Sequence, residues 1–264
     1  MPFHQAGEIR YFYFESLEEA GISHGALTRR GGVSPQPWST LNVGGTVGDE
    51  AGRVSENRQR SFQALGRSLS SLFDVWQVHG KEVVCATAPR RIEQAHQKAD
   101  AILTDRPEVT LFMRFADCVP IFLFDPSKKV VGLAHAGWLG TVQYTAAAAV
   151  HAMQACYGCR PQDILAGIGP SIGAHHYEVG PEVVSQVQVA FGADSGAVLR
   201  PTNGAAQEGQ ALLDLWAANR IVLERAGVLQ IEIAGICTAC CIDDWYSHRG
   251  ERGQTGRFGA LIAL

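Results

Sequence analysis

The chain has 264 residues, 46% hydrophobic and 18% charged, an ordinary globular composition with material for a sizeable core. A net charge of −4 without any block of like charges excludes the basic footprint of a nucleic-acid-binding surface. No run approaches the ~20 apolar residues of a membrane span, and the opening MPFHQAGEIRYFYFE lacks the apolar core of a secretory signal, so a soluble cytoplasmic protein is expected.

In chain order, the first organised feature is RRGGVSPQPWSTLNVGG, a Gly-, Pro- and Ser-rich stretch that reads as a long loop with several turns, the kind of segment that carries function. Asp49 to Arg67 follows as a helix with Val54, Phe62 and Leu65 on one face. Leu72 to Ala86 is extended and holds Trp76-Gln77-Val78-His79-Gly80, and Ala99 to Thr104 and Val109 to Phe115 read as strands. Gly140 to Tyr157 is apolar and Ala-rich enough for a buried helix. Ile164 to Ile168 is a short strand, Glu182 to Phe191 and Gln210 to Ala226 are helical, and Ile231 to Ile236 and Phe258 to Leu264 close as strands. No regular βαβ beat, repeat or linker appears, so one layered α/β domain over 1–264 is expected, with a mixed β-sheet and flanking helices.

The runs Pro120 to Phe124 and Val130 to Ala134 flank Asp125-Pro126-Ser127-Lys128-Lys129 and signal an antiparallel hairpin. With Ser127 at the centre of the turn, Cys118 lies opposite Ala136, beside His135. Directly opposed residues are roughly 4.5–5.5 Å apart at Cβ, so a thiol and an imidazole are expected to meet at the open end of the hairpin. That pair fits a metal, a nucleophile with its base, or a redox thiol; a buried thiol beside a hydrogen-bonded histidine is the plain alternative.

Seven cysteines, an odd number in so long a chain, fit reduced thiols better than a disulfide framework. Cys156-Tyr-Gly-Cys159 and Cys237-Thr-Ala-Cys240 have C-x-x-C spacing, but the pairs are much further apart than the ~15–20 residues of a zinc ribbon. Buried or incidental thiols are the expected reading.

Taken together, LTRRGGVS, STLNVG, ENRQRSFQALG, QVHG, ADAILT, ADCVPIFLFD, VVGLAHAGW, GIGPSIG with YEVG, YSHRG and TGR resemble the YfiH-like, laccase-domain family. Its members were long labelled polyphenol oxidases and are associated with purine nucleoside phosphorylase activity. The resemblance implies a zinc site formed by His79, Cys118 and His135, with Cys118 also in a catalytic position. It implies phosphorolysis of adenosine, inosine, guanosine and methylthioadenosine, and hydrolytic deamination of adenosine, with purine nucleoside and phosphate as partners.

A His2Cys set leaves the fourth tetrahedral position to water or substrate, the pattern of catalytic zinc. Asp117 is a candidate for proton transfer or for orienting a ligand imidazole, although strict strand alternation would turn it away from the Cys118 face. Arg29 and Arg249 match the arginines of the family's TR-x-GG and S-x-R stretches and are candidates to bind phosphate, with surface salt bridging as the alternative. One departure stands out: Leu139 follows Trp138 where the family usually has Arg or Lys, which implies weaker phosphate handling. SHRG likewise carries one Arg where the pattern often has two.

Two other functions fit the same residues: a metal-free Cys-His hydrolase acting on an amide such as a cell-wall precursor, and a non-catalytic nucleoside-binding protein. A multicopper oxidase fits poorly, because nine scattered histidines are too few for grouped copper ligands. The sequence carries no signal of oligomeric state.

Overall fold

The computed structural model describes residues 2–91, 93–202 and 209–264. Its frame is two stacked six-stranded sheets, and the stacking follows from residue alternation along the hairpin. Val119–Asp125 and Val130–Ala136 are buried along their whole length, so both faces must be covered. Ile121, Leu123, Val130 and Ala134 face Ala146, Ala149, Val150, Met153 and Val222 on two helices. Phe122, Phe124, Val131 and Leu133 point the other way, onto Leu111, Met113, Phe258, Ala260 and Ile262 of the neighbouring sheet.

The hairpin's sheet runs in the order Gln230–Ile233, Leu165–Ile168, Val119–Asp125, Val130–Ala136, Ala101–Thr104, Val83–Cys85, with parallel pairs at both edges and antiparallel pairs between. The second sheet runs Phe3–Ala6, Ile9–Phe12, Ser23–Leu27, Phe258–Ala263, Thr110–Phe115, Leu72–Phe73. Phe62 of the helix Ala51–Ala64 packs on its outer face against Phe112 and Leu261. A small third sheet joins Glu178–Val179, Ala211–Leu213 and Leu199–Arg200. The layered, mixed α/β architecture expected from the sequence is therefore present, as helix, sheet, sheet, helix. Among the described residues no helix is long and apolar enough to cross a membrane.

The hairpin register differs by one residue from the expected one, and the difference matters. Asp125 pairs with Val130 across a four-residue loop, and Val119, not Cys118, lies opposite Ala136. The Asp125 carboxylate accepts from Ser127 N, Ser127 Oγ and Lys128 N, and Lys129 takes a left-handed φ of 53°, which closes the turn with an even number of residues. In the expected register Cys118 and His135 would have faced opposite sides of the sheet. With His135 paired to Pro120, both point between the two sheets.

Three further elements depart from expectation. Gly140 to Tyr157 is two helices, Trp138–Val142 and Thr145–Tyr157, broken at Tyr144 with φ 62°. Gln210 to Ala226 contains the strand Ala211–Leu213 before the helix Leu215–Arg225, because the Asp214 side chain accepts from Ala217 N and starts the helix there. Between Phe73 and Val83 the chain leaves the strand conformation, and His79 lies in that segment.

Candidate metal centre and substrate cavity

His79, Cys118 and His135 come together although three separate elements carry them, their ligand-capable atoms all within 4.8 Å of one another. The His79 and His135 rings meet edge to face, with centroids 4.9 Å apart.

One buried carboxylate organises the approach. Asp100 Oδ1 accepts from His135 Nδ1 at 2.8 Å, which keeps a ring proton on Nδ1 and leaves Nε2 as the ligand-capable nitrogen. Asp100 Oδ2 accepts from Val78 N at 3.0 Å and Gly80 N at 2.7 Å, bracketing His79, whose φ is 59°. A left-handed histidine is strained, and these two hydrogen bonds hold the turn. Asp100 thus fixes one histidine by its ring and the other by its backbone.

Electrostatics favour a thiolate. Burial pushes the Cys118 thiol up, but the charge of His135 and hydrogen bonds from His135 and His79 outweigh it, bringing the thiol down to about 6. Burial pulls His135 down, but the Cys118 thiolate and the Asp100 hydrogen bond raise it to about 9. Two imidazoles aimed at one thiolate are a donor set suited to zinc. Gly137 leaves the room for an ion: a Cβ there would reach 2.8 Å from Cys118 Sγ and 3.4 Å from His79 Cδ2.

The three residues line a cavity of about 660 Å³ together with Trp76, Trp138, Tyr177, Asp117 and four arginines, Arg58, Arg114, Arg249 and Arg257. Arg114 is already committed, 3.2 Å from the fully buried Asp74 carboxylate. The other three donate to carbonyls instead: Arg58 to Val43, Arg249 to Glu178, Arg257 to Gly256. Burial lowers Arg58 to about 10, with the Arg114 charge adding to the effect. Gly44 leaves room for the Arg257 stem, since a Cβ there would lie 2.7 Å from Arg257 Cγ.

The remaining residues singled out in the sequence divide. Arg249 reaches the cavity and lies 5.1 Å over the Tyr177 ring. Arg29 is not among the residues that line it: its guanidinium pairs with Glu251 at 2.9 Å and donates to the Ser39 and Ile242 carbonyls, a structural tie. Asp117 lines the cavity with φ 80°, so strand alternation ends before it. Its oxygens accept from Thr238 Oγ1, Ser247 Oγ and Arg249 N, and the carboxylate bonded to an imidazole of the candidate set is that of Asp100.

Residues 23–264 match the protein family described as multi-copper polyphenol oxidoreductase laccase. The chain belongs to this family. A Deinococcus radiodurans relative named purine nucleoside phosphorylase is 40% identical over 243 residues, covering 92% of this chain and 89% of the relative. The crystal structure of the Bacillus licheniformis hypothetical protein YfiH superposes with a TM-score of 0.91 at 33% identity, covering 100% of this chain and 99% of that one. YlmD from Geobacillus stearothermophilus gives a TM-score of 0.90 at 35% identity, covering 99% and 98%.

Leu139, the departure from the family's usual cation, is half-buried on the helix Trp138–Val142 and is not among the residues lining the cavity. Three arginines supply positive charge without it. Leu139→Arg should therefore change the phosphate KM by less than about twofold, within the ~0.5 kcal/mol of an uninvolved surface substitution. A gain of tenfold in phosphate-dependent release of adenine or hypoxanthine would show that position 139 does reach the anion.

Proposed function

We propose that this chain is a zinc-dependent purine nucleoside enzyme that catalyses phosphorolysis of adenosine, inosine, guanosine and methylthioadenosine and hydrolytic deamination of adenosine. The observation that carries the reading is a single cavity joining a His-Cys-His set to three arginines whose hydrogen bonds go to carbonyls and which form no ion pair among the described residues. The names of the relatives support the substrate class.

His79, Cys118 and His135 would hold the zinc, with Cys118 as thiolate. When bound, zinc supplies Lewis acidity to substrate and solvent oxygens. Arg58, Arg249 and Arg257 hold phosphate for attack on ribose C1′, where their planar forks suit a dianion. Trp76, Trp138 and Tyr177 offer flat faces to the purine. Burial raises the Tyr177 phenol, so it remains a hydrogen-bond donor across the physiological range. Asp117 positions the site: it ties the end of the hairpin to the Arg249 backbone, and proton transfer through it would cost one of those hydrogen bonds.

The family's copper description fits this chain less well. The donor set is two imidazoles and a thiolate, and grouped imidazoles of the number a multicopper centre needs are not found among the described residues. A metal-free Cys118 nucleophile is the second reading, favoured by the lowered thiol and raised imidazole. Chelation separates the two: a metal-free hydrolase keeps its activity. The decisive assay is metal analysis with product identification from adenosine, with and without phosphate. Adenine appearing only with phosphate, and inosine without it, supports the proposal; neither product from a metal-loaded protein overturns it.

Arg249 is exposed, so its removal should leave the fold intact. Arg249→Ala should raise the phosphate KM about tenfold, the ~1.5 kcal/mol of a charge-assisted hydrogen bond, and affect deamination less. Equal losses in both reactions would mean that the side chain supports Tyr177 rather than the anion.

A further inference from the structure

The C-x-x-C pair Cys237 and Cys240 has partners, and they are histidines. His175 and His176 bring their ring nitrogens to the two sulfurs so that all four ligand-capable atoms lie within 4.8 Å of one another. His175 Nε2 is 3.0 Å from Cys240 Sγ. A tetrahedral ion with bonds of about 2.3 Å to sulfur and 2.0–2.1 Å to nitrogen spaces its ligand atoms about 3.3–3.8 Å apart. Small side-chain rotations close the difference, and His175, His176 and Cys240 are exposed and free to make them.

The fourth ligand is held in place. Cys237 is 6% exposed, and its sulfur accepts from Gly173 N at 3.2 Å, the kind of backbone hydrogen bond that orients a ligand sulfur. Gly173 also leaves the space: a Cβ there would lie 2.7 Å from His175 Cε1 and 3.3 Å from Cys237 Cβ. The same device appears at Gly137 beside Cys118.

We propose that His175, His176, Cys237 and Cys240 form a second zinc site, closed and structural. Two thiolates and two neutral imidazoles fill all four tetrahedral positions and neutralise the ion, leaving no place for substrate, unlike the three-residue set in the cavity. Each thiol gives its proton to solvent on binding.

The position gives the site its role. Tyr177, next to His176, lines the cavity, and Arg249 donates to the carbonyl of Glu178. Thr238, between the two cysteines, donates to Asp117, the neighbour of Cys118. An ion here would clamp together two segments that otherwise meet through a short bridge at Ser171 and Cys237, and would stiffen the cavity wall that they form.

Metal content should be measured on wild type, Cys118→Ala, Cys240→Ser and the double variant His175→Ala/His176→Ala, all purified from zinc-supplemented medium. The expected result is two equivalents in wild type, one in each of the others, and none when Cys118→Ala and Cys240→Ser are combined. Cobalt(II) added to metal-free Cys118→Ala should give thiolate-to-metal absorption that the combined variant lacks. Because the cavity set is tested by Cys118→Ala and this one by Cys240→Ser, either can fail alone. Wild-type metal content in both Cys240→Ser and the double histidine variant would overturn the proposal, as would a Cys237–Cys240 disulfide in the purified protein.

Discussion

Cys118→Ala should abolish turnover and empty the cavity site of metal while the protein stays folded. The loss should exceed the ~10–100-fold that follows from removing a hydrogen-bond partner of a ligand, because here the ligand itself is gone. Folding should be little affected, since Phe122, Phe124, Val131 and Leu133 keep the hairpin packed on the neighbouring sheet and Ile121, Leu123 and Ala134 keep it packed on the helices. At about 1.5–3 kcal/mol for each fully buried large apolar side chain, that packing far outweighs one half-buried sulfur. The expected change in melting temperature is a few degrees, about 1 kcal/mol in a chain of this size. Metal analysis and circular dichroism on the same preparation check it. A variant that unfolds would give this ion a structural role, and one that keeps its zinc would put the metal elsewhere. His79→Ala divides the two enzymatic readings, because a metal-free Cys118–His135 pair could work without His79.

The hairpin was legible because its signal is local: two apolar runs around a turn cluster, all between Pro120 and Ala134. Its register was not, because that depended on whether the loop held an odd or even number of residues, which the Asp125 side chain decides. The first strands, Phe3–Ala6, Ile9–Phe12 and Ser23–Leu27, were invisible for a different reason. They are four or five residues long, and their side chains do not alternate cleanly between buried and exposed. In the site, Cys118 and His135 were brought together by the hairpin pattern and His79 by resemblance alone, whereas Arg29, singled out by the same resemblance, is not among the residues that line the cavity. Its partner Glu251 is 222 residues away, and no sequence pattern announces such a pair. Arg58 on a helix and Arg257 beside the last strand meet for the same kind of reason, through the fold alone.

Asp100 is the residue whose replacement should cost most after the ligands themselves. It stood in the ADAILT stretch as part of a strand pattern, because its role appears only when His135, 35 residues on, turns its ring toward it. Asp100→Asn keeps the size and one acceptor oxygen but presents an NH2 group to donors where the carboxylate had presented a second acceptor. Either His135 Nδ1–H or the N–H groups of Val78 and Gly80 then lose their partner. The first loss frees the imidazole to rotate or change tautomer; the second releases the strained His79 turn. Either way zinc affinity should fall about 10–100-fold, and leaving one of these buried donors unpaired should destabilise the protein by about 1–3 kcal/mol. Chelator competition measures the first effect and thermal melting the second. Falling stability with unchanged zinc affinity would make Asp100 a support for the strand Ala101–Thr104 and nothing more. Reduced affinity with the metal content recovered at saturating zinc would show that the carboxylate shapes the site without being part of it.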